Sequence, residues 1–472
     1  MRAVVTKLGK GSALYGMSLM LQKVLHIILL PIYTRFLAPD QYGILTLLNT
    51  CGHTVAPLLS LGLGSAVIWS VTYRRTDVRQ TFGSVQAFQF LYGLALTGLL
   101  LIWAPYLAGL VFGNPAYAGL LRLIFLVFFL ETTEHLLFSH FLIKDRVGLM
   151  ALAASARFVV SAALHIFFLA YMEMGVPGVV LAQLSTSLLF GTAAWIVLWT
   201  KHPPRFDMPG IGPLLHYGWP IVPAYLCSMV LTLSDRFFLQ YFRNEFEVGL
   251  YTLAYNIGLV INLLVLSIQQ VWQKQMFDTV RDDPDASRTI GRLFTAYAAL
   301  LGVAGLGLTL FRREIIALLT PPEYHAAARV VPLIVAAYAL NGLTLATNIG
   351  MKVRNRNHLS LPIVAAAALL NLGLNFLLVP RYGMMGAAWA TLCAYFVRWI
   401  IYRMVDQRLW PISFEYGRLL ILAGLLGGAS GMSALLTTDQ FQVDIAVKLS
   451  ILGLTSLLLW GLYHICENCR GS

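Results

Sequence analysis

Runs of roughly twenty apolar residues recur along almost the whole chain, and that one property leaves few folds open. A helix of about twenty residues crosses a hydrocarbon layer of ~30 Å. Inside that layer every backbone N–H and C=O must find a partner, either within one helix or around a closed barrel. A barrel reads as weak ten-residue alternation, whereas Leu253 to Ile268 and Leu359 to Val379 are almost continuously apolar. With 58% of the 472 residues apolar and only 11% charged, a soluble core has no room for this surface. The expected fold is an all-α integral membrane protein. Spans fall near 12–35, 41–69, 83–111, 118–143, 147–171, 176–199, 214–242, 247–273, 289–311, 328–351, 358–379, 383–402, 416–437 and 444–465, about fourteen transmembrane helices.

The net charge of +12 would point to nucleic acid in a soluble protein, but its placement here is topological. With the N-terminus placed in the cytoplasm, the inside tails and loops together with the span ends beside them hold twenty-one of the 33 Lys and Arg residues, and the outside loops with theirs hold six. That bias predicts a multi-pass inner (plasma) membrane protein with both termini cytoplasmic and no nucleic-acid partner. Lys7 and Lys10 before an apolar run resemble a signal peptide. No small-residue cleavage site follows Leu30, however, and the run is expected to be a retained span. Five cysteines, three of them in predicted spans, make no disulfide framework, and Cys466 with Cys469 is a lone C-x-x-C that predicts no metal.

An internal repeat sets the architecture. Gln41-Tyr42-Gly43-Ile44-Leu45-Thr46-Leu47 resembles Glu247-Val248-Gly249-Leu250-Tyr251-Thr252-Leu253, with the glycines 206 residues apart. Gly175-Val176-Pro177-Gly178 opens the sixth span as Gly383-Met384-Met385-Gly386 opens the twelfth, 208 residues later. Two motifs at nearly one offset indicate duplication. Six spans per repeat is even, so the halves are expected to be parallel, related by an axis along the membrane normal. The predicted organisation is an N-terminal six-helix lobe (1–200), a basic proline-bearing linker (201–213), a C-terminal six-helix lobe (214–405), and two extra helices with a tail (406–472).

Leu30-Pro31-Ile32-Tyr33-Thr34-Arg35-Phe36-Leu37-Ala38-Pro39-Asp40-Gln41-Tyr42-Gly43 resembles the first span and loop of Wzx-type polysaccharide flippases, within the multidrug, oligosaccharidyl-lipid and polysaccharide exporter superfamily. Tyr217-Gly218-Trp219-Pro220, Leu233-Ser234-Asp235-Arg236-Phe237 and Tyr382-Gly383-Met384-Met385-Gly386 are similar to the seventh and twelfth spans of the same family. The resemblance implies alternating access and carriage of a polyprenyl-diphosphate-linked oligosaccharide to the outer leaflet. It also implies a monomer that works beside glycosyltransferases and a polysaccharide polymerase, with no cofactor.

Charges at bilayer depth cost about 2.5–3.5 kcal/mol on insertion scales, so such side chains should face a wet cavity or a partner. Lys23 and His26 share a face of span one and, with Arg35 and Arg236, are candidate cations for a diphosphate. Arg35 and Arg236 have the plainer alternative of anchoring at the interface. Glu131, Glu134 and His135 share a face of span four as candidates for a coupling ion, the alternative being pairing with Arg157 or Arg122; Asp235 is a further candidate. Asn341, Thr344, Asn348 and Lys352 share a face of span ten, where they would either hydrogen-bond sugar hydroxyls or join helices. Trp69, Tyr73, Trp103, Tyr106, Trp195 and Trp199 near span ends read as interfacial belts.

Enzyme classes find little support, since G-x-x-x-x-G-K-[ST], H-E-x-x-H and G-x-S-x-G do not occur. A membrane polymerase or ligase of sugar chains is the main enzymatic rival, yet the longest outside loop, about Arg312 to Arg329, is short for one. Within transport the rivals are a peptidoglycan lipid precursor flippase and a drug/cation antiporter of the same fold.

Overall fold

A computed structural model describes residues 28–205, 207–354, 356–435 and 445–457. Lys23, His26, Cys466 and Cys469 lie outside the described residues. All regular structure among the described residues is helical. A helix over 28–36 (α1) ends at the Pro39 turn. The first part of the chain continues with α2 (Pro39–Ser60), α3 (Leu63–Thr72), α4 (Val78–Phe112), α5 (Ala118–Ile143), α6 (Val147–Ile166), α7 (Gly175–Lys201), α8 (Met208–Gly218) and α9 (Ile221–Phe242). Then come α10 (Glu245–Asp282), α11 (Ala286–Leu310), α12 (Arg312–Leu319), α13 (Val331–Thr347), α14 (Ile349–Val353), α15 (Ser360–Leu409), α16 (Tyr416–Leu435) and α17 (Ile445–Leu457).

Among the described residues, ten helices are long and apolar enough to cross a membrane. The 50-residue α15 holds two predicted spans, joined by a kink at Gly383 (φ 54°, ψ −134°), a backbone conformation open to glycine and to few others. The helices therefore follow the expected order of spans two to twelve, with α16 and α17 at the two C-terminal positions. Several details differ from the sequence reading, among them the division of span seven into α8 and α9 and the start of α8 inside the expected linker. Span two bends where Leu61 and Gly62 enter the left-handed region, one turn after Pro57. Span eight runs on to Asp282, past its expected end at 273. Span ten breaks at Asn348.

Local chemistry explains several boundaries. Asp77 caps α4 by accepting from Gln80 N at 2.8 Å, and Asp207 caps α8 through Gly210 N. Along α2, Thr46, Thr50 and Thr54 each donate to the carbonyl four residues back, at 2.7–2.8 Å, so their hydroxyls are satisfied without water. Large apolar side chains such as Ile102 and Leu369 remain 75% and 70% exposed, as lipid-facing positions must. Tyr73, Trp103 and Tyr106 are also exposed, but Trp195 packs edge-on to Phe90 and Phe129.

The contacts divide the chain into two compact units, 1–252 and 253–472, and the boundary falls inside α10. In the first unit Leu63, Phe82, Leu136 and Leu198 form the centre of one core. The stretch after α7 is pinned to α4: Gln86 Nε2 donates to His202 O, Arg205 N to Gly83 O, and Gln80 Nε2 to Asp207. The His202 and His140 rings meet at 3.1 Å beside Phe82. The two glycines of the repeated motif touch: a Cβ on Gly43 would run into Glu245 O, and one on Gly249 into Pro39 O. The first turns of α2 and α10 therefore lie backbone on backbone.

In the second unit α16 and α17 pack on α11 through Leu306, Leu310, Ala429 and Ile451. Lys448 of α17 is 3% exposed and pairs with Glu314 of α12. Breaking a buried pair from one side costs about 3–5 kcal/mol, because the remaining charge stays desolvated. Lys448→Met is expected to lower the thermal midpoint in detergent by several degrees, and adding Glu314→Gln to recover much of it. A double variant no more stable than Lys448→Met would show that the pair does not hold α17.

Candidate functional site

Ionisable side chains buried in the spans gather within each unit. In the first, α5 carries Glu131 and Glu134 on one face, and α6 supplies Arg157. Arg157 Nη2 lies 2.5 Å from Glu131 Oε1, and Nη1 pairs with Glu134. Ser187 of α7 stands 3.5 Å from both Arg157 Nη2 and Glu131 Oε1. Of the two partners expected for these acids, the structure forms the pair with Arg157; Arg122 instead donates its Nε to Leu101 O at 3.0 Å. One guanidinium against two ionised carboxylates leaves a net negative charge.

His135, one turn past Glu131, is exposed and within electrostatic reach of Glu131 and Arg157. His53 of α2 is exposed as well, edge-on to Phe128 at 4.9 Å and within reach of Glu131 and Arg236. His53 is not among the residues the sequence singles out. The signal that could find it is a histidine three residues after Thr50 and one before Thr54, on the polar stripe of span two.

On α9, Asp235 is fully buried and accepts from Tyr251 Oη at 2.6 Å. Arg236 donates from Nη1 to Thr232 O at 2.9 Å, and its guanidinium lies 6.0 Å from the centre of the Tyr251 ring. The adjacent acid and base thus share one tyrosine, through its hydroxyl and through its ring. Arg35 is exposed in the last turn of α1, a placement that fits interfacial anchoring.

In the second unit the face expected along span ten is interrupted. Asn341 Oδ1 accepts from Arg398 Nη2 at 2.5 Å. Thr344 is buried and donates to Leu340 O. Asn348 stands at the break that starts α14, its Oδ1 buried without a hydrogen bond. The break exposes backbone N–H groups, and Asp406 of α15 takes that of Met351 at 2.9 Å. Lys352 is half-buried and within electrostatic reach of Asp406. Sequence reasoning misses both Asp406 and Arg398, although a lone arginine inside an apolar span is a readable signal. Among the described residues no group of three or more His, Cys, Asp or Glu side chains is placed to hold a metal.

An all-helical set of apolar helices, with ion pairs formed between them, defines a polytopic membrane protein. The chain superposes on the lipid II flippase MurJ in its inward closed conformation with a TM-score of 0.78 and 13% identity, covering 96% of this chain and 99% of that one. It superposes on an inward-facing multidrug resistance MATE family transporter of the MOP superfamily with a TM-score of 0.66 and 15% identity, covering 82% and 95%.

In sequence it is 24% identical over 337 residues to an uncharacterized membrane protein of Methanocaldococcus jannaschii, 64% of each chain. It is 22% identical over 255 residues to a protein named probable low-salt glycan biosynthesis flippase in Haloferax volcanii, over 52% of this chain and 54% of the relative. The matches thus span just under two thirds and about half of those relatives. The pattern of the family described as polysaccharide biosynthesis protein matches residues 32–329, more than half of the chain, and the chain belongs to that family. The resemblance to Wzx-type flippases carried by the motifs is borne out.

Proposed function

We propose that this protein flips a polyprenyl-diphosphate-linked oligosaccharide repeat unit across the inner membrane for polysaccharide biosynthesis, by alternating access of two six-helix lobes. Support comes from the match to the polysaccharide biosynthesis family on a chain whose spans hold paired and partnered charges rather than a lone acid. A hydrated path with arginines at bilayer depth suits an anionic head group, while the polyprenyl tail stays in lipid. The Glu131, Glu134 and Arg157 group, with His135 beside it, is the proposed ion-coupling element: a proton reaching a carboxylate would weaken its hold on Arg157.

The MurJ likeness covers nearly the whole chain and favours, as second reading, a peptidoglycan lipid precursor as cargo. Both cargoes share a polyprenyl diphosphate, so the sugar decides between them. Proteoliposomes holding a fluorescent polyprenyl-diphosphate oligosaccharide, a fluorescent lipid II, or a cationic dye are expected to show protein-dependent movement of the oligosaccharide lipid, read by quenching from outside. Movement of lipid II alone would establish the second reading. Movement of the dye alone would place the chain with the drug antiporters and end the flippase proposal.

A further inference from the structure

Arg398 lies well inside the second half of α15, in an apolar stretch beyond the Gly383 kink. Its Nη2 donates to Asn341 Oδ1 at 2.5 Å, and its guanidinium sits 4.6 Å from the centre of the Tyr395 ring. Its Nε is buried with no acceptor. No carboxylate pairs with it among the described residues, and the groups within its electrostatic reach are the hydroxyls of Tyr395 and Tyr402. Several other cations among the described residues have carboxylate partners. Arg157 faces Glu131 and Glu134, Lys448 faces Glu314, and Arg418 meets Glu415 at 2.7 Å.

A neutral amide oxygen and a ring face orient a guanidinium without cancelling its charge. An arginine kept inside an apolar helix on those terms is held in position with its charge uncompensated, a cost in stability that an arriving anion would relieve. With Nη2 engaged by Asn341, the Nη1 edge of the fork remains for a second bond, and Asn341 keeps its Nδ2 donors. A planar cation beside an amide is a donor set that matches the oxygens of a phosphate or a carboxylate.

We propose that Arg398 and Asn341 form an oxoanion-binding site within the second unit, taken by a phosphate of the lipid carrier or by the carboxylate of an acidic sugar on it. The source of the anion rests on the flippase reading; the site itself rests on the side chains. As a binding residue kept at a cost in stability, Arg398 should be removable without unfolding the protein.

The test uses full-length protein purified in detergent and native mass spectrometry with three probes: undecaprenyl diphosphate, uncharged undecaprenol, and free glucuronate. Wild type is expected to hold undecaprenyl diphosphate well above undecaprenol. Arg398→Leu is expected to weaken diphosphate binding at least tenfold, leave undecaprenol unchanged, and keep or raise the thermal midpoint. Arg398→Lys, which retains charge but not the fork, should fall between, and Asn341→Ala should weaken binding severalfold. Glucuronate binding that is lost in Arg398→Leu, with diphosphate binding unaffected by the substitution, would assign the site to an acidic sugar. A folded Arg398→Leu that binds both anions as wild type does, or one that only loses thermal stability, overturns the site. Should wild type hold the diphosphate no better than undecaprenol, with glucuronate still bound through Arg398, the flippase reading falls and the oxoanion site stands.

Discussion

Gly43→Ala and Gly249→Ala are each expected to cut transport in proteoliposomes at least tenfold while leaving the amount of protein in the membrane unchanged. A methyl group on Gly43 has no place to go, because Glu245 O lies far inside contact distance of its Cβ position and Gly249 N lies 3.1 Å from it. A methyl on Gly249 meets Pro39 O in the same way. Overpacking in ordinary cores costs about 1–3 kcal/mol, and here the neighbours are backbone on both sides, which cannot rotate away. A penalty near the upper end would depopulate this arrangement about a hundredfold relative to any state in which α2 and α10 part. The two substitutions break one contact, so the double variant should be little worse than either single. Full transport by Gly43→Ala, or additive losses in the double variant, would show that this contact is not part of the cycle.

Arg157→Leu is expected to be the most destabilising single change among the charged residues of the spans. It would strand Glu131 and Glu134 next to each other, with Ser187 still donating to Glu131. Removing one side of a buried ionic group costs about 3–5 kcal/mol, and two carboxylates without a cation repel. The thermal midpoint in detergent should fall by roughly ten degrees or the yield collapse. The triple variant Arg157→Leu, Glu131→Gln, Glu134→Gln removes all three charges and should return most of the stability, since a neutral hydrogen-bonded set replaces the ionic one. Its transport separates the two roles of the group. If the acids couple an ion, the triple variant flips without response to a proton gradient; if they only hold α5 against α6, gradient dependence is as in wild type.

Single residues show how much of the site is legible in the sequence. The three-residue spacing of Glu131 and Glu134 is enough to put them on one face of span four, with Arg157 as one of two possible partners. Arg122 lies on the same span as the acids, nine residues before Glu131 and so about 13 Å along the helix, a spacing that already rules it out as a partner; that Arg157 of the next span stands beside them needs the packed helices. The polar face on span ten reads as continuous in the sequence. Asn348 leaves helical geometry there, so Asn341 and Lys352 serve different surroundings, Arg398 on one side and Asp406 on the other. Arg398 is legible only as a charge inside an apolar span and Asp406 carries no local signature, because their partners, Asn341 and Met351, lie 57 and 55 positions away.

The class of solvent and the order of the spans are written in local apolar content, which needs no knowledge of neighbours. The glycines at 43 and 249 are visible as a repeat in the chain, but that they press against each other emerges only when the helices pack. The same holds for the bend at Leu61 and for the partners of Arg157, Asp235 and Arg398. Burial in lipid is a property of one helix, whereas an ion pair, an unpaired charge or a backbone contact exists only once two distant helices are side by side.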